Sequence, residues 1–189
     1  MSIFPEALPL APSKLGTAEI RIDTSSSSDR LCGALHGQPL CKDRYWRLLV
    51  NGSIMMSNAE YEERTCAEAV FNATGDVLIA GLGLGMVLPP ILAKPEVKSV
   101  TVVEINPDVI ALVADAYKHP KLTVVQGDIF TWTPAKGQQF DFIWFDIWAD
   151  ICGDNLPEMA RLSRRFARRL KGPRKMAHWC KRQCKAGRA

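Results

Sequence analysis

Between residues 77 and 90 the chain reads VLIAGLGLGMVLPP, an apolar run broken by glycine at positions 81, 83 and 85. A backbone gives up side chains at alternate positions where it must bend sharply or lie against something. The apolar residues before the break suit a buried strand, and Met86 begins a helix-like segment whose start Pro89 and Pro90 delay. Three occupants fit such a turn: the pyrophosphate of a dinucleotide, a sulfonium nucleoside, or the next helix packed close. The spacing is GxGxG, and Met86 stands where the dinucleotide fingerprint needs a small residue.

The pattern that follows narrows the fold. VKSVTVVEI reads as a second strand, and Asn106 then caps a helix with Pro107 in its first turn. KLTVVQGDIF and FDFIWFDIW are the third and fourth strands, each ending at an acid, and KMAHWCK is a fifth. Between the fourth and fifth, Leu156, Met159, Ala160, Ser163, Phe166, Ala167 and Leu170 make one helical stripe, with five arginines pointing elsewhere. Strand–helix alternation with continuous apolar strands predicts a parallel sheet covered on both faces. Ligands of such sheets sit at the carboxyl ends of the strands, where these acids fall.

Residues 1–57 read differently, as a β-rich segment ahead of an α/β domain over 58–189. AEIRID is a strand, the polar run over 24–29 a mobile loop, and RYWRLLV and SIMMS flank Asn51-Gly52, a type I′ hairpin turn. Ser57 or Asn58 is expected to cap a helix reaching Asn72, with Glu60, Glu62 and Glu63 in its first turns, where the dipole favours acids.

The acids after the strands name the ligand class. Glu104 lies nineteen residues after Gly85, at the second strand's end, where a carboxylate accepts from both ribose hydroxyls. Asp128 stands just past the third strand, suited to an adenine's amino group. Asp146 ends the fourth, where a carboxylate takes a proton from a nucleophile or orients it for in-line attack. Asp150 reads as a solvated loop acid, and Trp144 and Trp148 as packing.

The set VLIAGLGLG, VTVVEINPDVI, LTVVQGDIF and FDFIWFDIWAD resembles the class I S-adenosylmethionine-dependent methyltransferase fold over about residues 48–160. Within it the chain is most similar to the spermidine synthase (aminopropyltransferase) branch. The resemblance implies a Rossmann-like sheet, truncated after about five strands, and a nucleoside cosubstrate. It assigns cofactor binding to Gly81, Gly83, Gly85, Glu104, Ile105, Asp128, Ile129 and Asp146, with Asp146 also catalytic.

The reaction implied is methyl transfer from S-adenosylmethionine to an unidentified acceptor. Aminopropyl transfer from decarboxylated S-adenosylmethionine to a diamine is the first alternative. The apolar Ile79 and the strand–turn–helix before the glycines resemble that branch. Leu84, however, replaces the Asp of its glycine loop, and Met55 and Met56 fall near its Gln. A non-catalytic or nucleic-acid-associated nucleoside-binding protein is the second alternative. DIWA after the fourth strand lacks the NPPY or DPPY of many DNA amino-methyltransferases.

Charge divides the chain. Residues 1–160 carry twelve Lys/Arg against twenty acids, whereas 161–189 carry twelve Lys/Arg and no acid, net −8 and +12. The basic end attracts phosphates in a salt-dependent way, making nucleic acid a candidate partner. Its last nine residues, KRQCKAGRA, lack apolar periodicity and are expected to fray. The start lacks a basic n-region and no apolar stretch approaches the ~20 residues of a membrane span, so a cytoplasmic protein with six reduced cysteines is expected. His178, Cys180 and Cys184 are too few for a metal site. The sheet edge beyond the fifth strand needs cover, from the N-terminal strands or from another subunit in a homo-oligomer.

Overall fold

The computed structural model describes residues 2–26, 42–172 and 175–187. From Ser27 onward the polar run lies outside the described residues, as do Cys32 and Cys41; Cys66, Cys152, Cys180 and Cys184 are free thiols. No helix among the described residues is long and apolar enough to cross a membrane.

The first sheet is antiparallel, β1 (Ser13–Leu15), β2 (Ala18–Thr24), β3 (Arg44–Val50) and β4 (Ser53–Ser57), in sequential order. Asn51 (φ 52°) and Gly52 (φ 79°) both take the left-handed backbone that the type I′ turn requires. Four residues past that turn the register slips: Leu48 pairs Met56, but Leu49 pairs Ile54. Met55 is therefore an extra residue, a β-bulge, and the bulge lets both Met55 and Met56 reach the same cavity instead of alternating faces.

Helix α1 (Glu60–Asn72) begins later than the sequence predicts. Its N-cap is Ala59, with no side-chain cap. Asn58 is instead turned inward, its Oδ1 accepting from Trp46 N at 2.7 Å, and Ser57 donates its N–H and Oγ–H back to Glu62. Glu63 is buried against Lys42 and accepts from Ser2 Oγ at 3.0 Å. Glu62 and Glu63 are thus held by specific partners in the fold, and Glu60 also carries a buried oxygen, Oε2.

The second sheet is wholly parallel: β5 (Gly75–Ala80), β6 (Val97–Glu104), β7 (Leu122–Gln126), β8 (Phe142–Phe145) and β9 (Met176–His178), ordered β7-β6-β5-β8-β9. The order reverses at β5, whose neighbours are β6 and β8, so the carboxyl ends of these three strands converge on one crevice. Helices α2 (Leu88–Leu92), α3 (Pro107–Val113) and α4 (Leu156–Phe166) connect them. Pro89 and Pro90 sit in the first turn of the five-residue α2, where a missing N–H costs nothing, and Asn106 caps α3, its Oδ1 accepting from Asp108 N at 2.9 Å. On α4 the buried face is Met159, Leu162 and Phe166, so Leu162 belongs to the stripe, whereas Ala167 is exposed.

The two sheets share one hydrophobic core containing Ile20, Trp46 and Leu48 with Leu78, Ile79 and Phe145. Thr17 donates its N–H and Oγ–H to Asp108 at 2.8 and 2.9 Å, fixing the first sheet to α3. That places the N-terminal strands over the β6 side, and β9's outer edge pairs with no strand among the described residues. Arg188 and Ala189 lie outside the described residues. Residues Lys181–Ala186 form α5, anchored by the buried Cys184, so the expected fraying does not occur there. Six residues are too few for a readable periodicity, and one buried thiol carries the anchor.

Candidate active site

The crevice is a cavity of about 460 Å³. At one end the β5–α2 turn crosses it. A Cβ on Gly81 (φ 97°) would lie 2.1 Å from the carbonyl oxygen of Asp146, so the turn lies directly on the end of β8. Gly83 faces the Met56 sulfur. Gly85 does not line the cavity; it packs against the ring of Tyr117, whose hydroxyl donates to Leu84 O at 2.8 Å. The third glycine thus serves packing, one of the three readings the turn allowed.

Glu104 ties this end together. Its Oε2 accepts from Leu82 N and its Oε1 from Asn106 N, both at 2.8 Å. A carboxylate has about four acceptor positions, so two backbone donors leave room for further donors from the cavity. Asp128 accepts from Phe130 N at 2.8 Å through Oδ1, and no Oδ2 partner exists among the described residues. Ile129 is buried while Ile105 is 66% exposed at the rim. Gly81, Gly83, Glu104, Ile105, Asp128, Ile129 and Asp146 all border the cavity.

The opposite end is built from residues far apart in sequence. Asp146 Oδ2 accepts from Trp144 Nε1 at 3.3 Å and from the Cys66 thiol at 3.7 Å. Burial pushes the Asp146 carboxyl up to about 6, the two donors only partly offsetting it. Glu62 lies one helical turn before Cys66 and borders the same space. Burial pushes Glu62 up to about 7, against the pull of its Ser57 hydrogen bonds and with the Asp146 charge adding to the rise. The Cys66 thiol, buried beside both acids, is raised well above the usual range.

Three tryptophans wall this end. Trp144 is fully buried, Trp148 donates Nε1–H to Glu158 at 2.9 Å, and Trp179 donates to Thr65 Oγ1 at 2.9 Å. Trp179 is carried there by β9, its N–H bonding Phe145 O at 2.9 Å, and the chain then turns through Cys180 (φ 50°) into α5. Asp150 is exposed, as read from the sequence. Sequence reasoning missed Cys66 and Trp179 as cavity groups, and it could not separate Glu62, which fits a diamine carboxylate and a helix-start acid equally well, from Glu60 and Glu63. Only the i, i+4 spacing of Glu62 and Cys66 signals that they share a helix face.

The histidine near the end of the chain has structural partners. His178 Nε2 lies 3.2 Å from Ser163 Oγ, and its ring stacks on Phe145 with centroids 4.9 Å apart. Burial holds the imidazole down to about 4, so it is neutral at ordinary pH.

Comparison with known proteins agrees with this geometry. A family model described as a methyltransferase domain matches residues 78–172. Polyamine aminopropyltransferase 2 of Ralstonia nicotianae is 31% identical over 110 residues, 50% of this chain and 22% of that protein. The polyamine aminopropyltransferase of Corynebacterium efficiens is 30% identical over 130 residues, 61% of this chain and 24% of its own length. The chain thus spans about a fifth to a quarter of the curated relatives it matches. The crystal structure of spermidine synthase from Thermotoga maritima aligns with a TM-score of 0.50 at 16% identity, covering 86% of this chain and 52% of that one, a likeness of fold. The chain belongs to the methyltransferase domain family and has the class I S-adenosylmethionine-dependent methyltransferase fold.

Proposed function

We propose that the protein transfers a methyl group from S-adenosylmethionine to an acceptor bound beside Asp146. The observation that carries this reading is the single cavity joining two unlike ends, Gly81 and Glu104 at one and Asp146 at the other. Glu104 would hold the ribose hydroxyls, Asp128 the adenine amino group, and Ile105 and Ile129 the faces of the base. The cosubstrate supplies a methyl carbon activated by a sulfonium. Asp146, raised to about 6, is matched to removing a proton from the acceptor near neutral pH.

Aminopropyl transfer is the second reading, and one observation favours it. Among the described residues the cavity wall has no lysine or arginine to meet the carboxylate that S-adenosylmethionine carries and its decarboxylated form lacks. Against it stands Leu84, fully buried, its N–H directed at the Met56 sulfur at 3.0 Å. No carboxylate is available at that point for a transferred aminopropyl group. Calorimetry with S-adenosylmethionine and with its decarboxylated form separates the two. Tighter binding of the intact nucleoside supports methyl transfer, and the reverse order overturns it.

A further inference from the structure

Five carboxylic acids border the cavity, Glu62, Glu104, Asp128, Asp146 and Glu158, and among the described residues no lysine, arginine or histidine does. Glu104 and Asp128 belong to the nucleoside end, and Glu158 accepts from Trp148. Glu62 and Asp146 remain. We propose that they form one acceptor-binding pair, in which Glu62 is the residue that selects a protonated amine over neutral or anionic acceptors. This inference rests on the nucleoside reading of the glycine end given above.

The geometry has three parts. Each carboxyl commits one oxygen to the protein: Glu62 Oε2 to the N–H and Oγ–H of Ser57, and Asp146 Oδ2 to Trp144 and Cys66. Glu62 Oε1 and Asp146 Oδ1 have no hydrogen-bond partner among the described residues, and neither atom is sealed from the cavity. The surrounding groups are neutral or acidic: Tyr61 and Cys66 from α1, Cys180 from the turn before α5, and Glu158 from α4. Two buried carboxyls without a cation resist ionising, which is the sense of both shifts. A cation between them reverses that balance. Trp148 and Trp179 offer faces for an alkyl body and for the cation itself.

The chemistry balances. One carboxylate takes a proton from R–NH3⁺ and becomes a carboxylic acid. The freed nitrogen lone pair forms a bond to the methyl carbon while the carbon–sulfur bond breaks, its electrons passing to sulfur. The methylated ammonium then carries the positive charge that the sulfonium has lost. The second carboxylate holds the nitrogen throughout, a role Asp146 alone cannot fill while it accepts the proton.

The test is calorimetry of n-butylammonium and of neutral 1-butanol on the intact protein, with and without saturating S-adenosylhomocysteine. Butylammonium is expected to bind at least about tenfold tighter than butanol at pH 7.5, and Glu62→Gln to remove most of that preference, the scale of a hydrogen bond to a charged group. At pH 6.5 its binding is expected to release about one proton, read from buffers of different ionisation enthalpy, because the cation draws both acids into their charged forms. A purely structural Glu62 would not move that proton count. Asp146→Asn is the second variant, and melting curves with S-adenosylhomocysteine titration establish that each variant is folded. Equal affinity for the two probes, or an unchanged preference in folded Glu62→Gln, overturns the pair. Failure of the parent to bind S-adenosylhomocysteine overturns the nucleoside reading instead, and the arm without that nucleoside still decides the pair.

Discussion

The two ends of the cavity hold acids in opposite ways. Glu104 has backbone N–H donors on both oxygens, and these bonds pin the glycine turn and the β6–α3 turn. Glu62 and Asp146 each keep an oxygen unpartnered among the described residues and are raised to about 7 and about 6 by burial. One end is therefore organised before a ligand arrives, while the other holds protons that a ligand can displace. Buried groups of the second kind reduce stability, and a fold keeps them where chemistry uses them. The difference predicts that substitutions at the first end change affinity, and substitutions at the second change turnover and the pH dependence of stability.

The largest effect is expected where the ends meet. Gly81 has φ 97° and lies against the Asp146 carbonyl, so Gly81→Val imposes both backbone strain and a clash with main chain. A loss above about 3 kcal/mol in denaturant unfolding is expected, with no detectable nucleoside binding. Gly83→Ala also carries left-handed strain (φ 52°), but it meets the flexible Met56 side chain rather than main chain and should cost less. A folded, binding-competent Gly81→Val would break the idea that the turn and β8 are one rigid unit.

Glu104→Ala comes next. It removes the expected ribose acceptor and frees two backbone N–H groups, so calorimetry should register a loss of about 2–3 kcal/mol in S-adenosylmethionine binding. Asp146→Asn should act the other way round. Nucleoside affinity stays within a few fold while kcat falls ~10²-fold. The sign for stability follows from the raised carboxyl. The unfolded chain ionises near the ordinary value of 3.8 and the folded one near 6, so stability is lost as pH rises between them. Asn carries no such penalty. The variant should match the parent at pH 4 and exceed it by roughly 1–3 kcal/mol above pH 7. Equal pH profiles would show that the Asp146 carboxyl is not held in its neutral form.

How far the chain itself discloses this site follows from sequence distance. The nucleoside end is assembled from consecutive strand–turn units, each carrying its own signature: glycines after β5, Glu104 after β6, Asp128 after β7. Local chemistry places such residues without knowledge of the rest, which is why the sheet, the Asn51-Gly52 turn and the Asn106 cap are legible. The acceptor end is not, because tertiary packing decides which acids of a helix are interior. Glu60, Glu62 and Glu63 look alike as dipole partners, and only their tertiary partners separate them, Ser57 for Glu62 and Lys42 and Ser2 for Glu63. The Met55 bulge is equally silent, since a one-residue slip leaves no mark in composition.

The smallest expected effect concerns the last helix, where the acidic interior meets the basic exterior. Arg165 donates to Thr131 O and Trp132 O at 2.9 and 2.8 Å, and Arg161 lies over the Phe130 ring at 5.1 Å, so these two are tied to the rim rather than pointing freely outward. Arg164, Arg168, Arg182 and Lys185 are exposed with no ion-pair partner among the described residues. Deleting residues 181–189 removes α5 and its buried Cys184 but leaves Trp179 bonded to Phe145 and Thr65. The expected cost is on the order of 1–2 kcal/mol, the scale of one buried small side chain and a short helix, with S-adenosylmethionine affinity unchanged. The deletion also removes four cations, Lys181, Arg182, Lys185 and Arg188. If the basic end recruits polynucleotide, affinity for a single-stranded RNA homopolymer should fall and its salt dependence become shallower, with log–log slope reduced by up to about 3, because fewer counterions are released. An unchanged slope would place any recruitment on the α4 arginines alone, and a parent that binds no RNA at low salt would reduce the basic face to solvation.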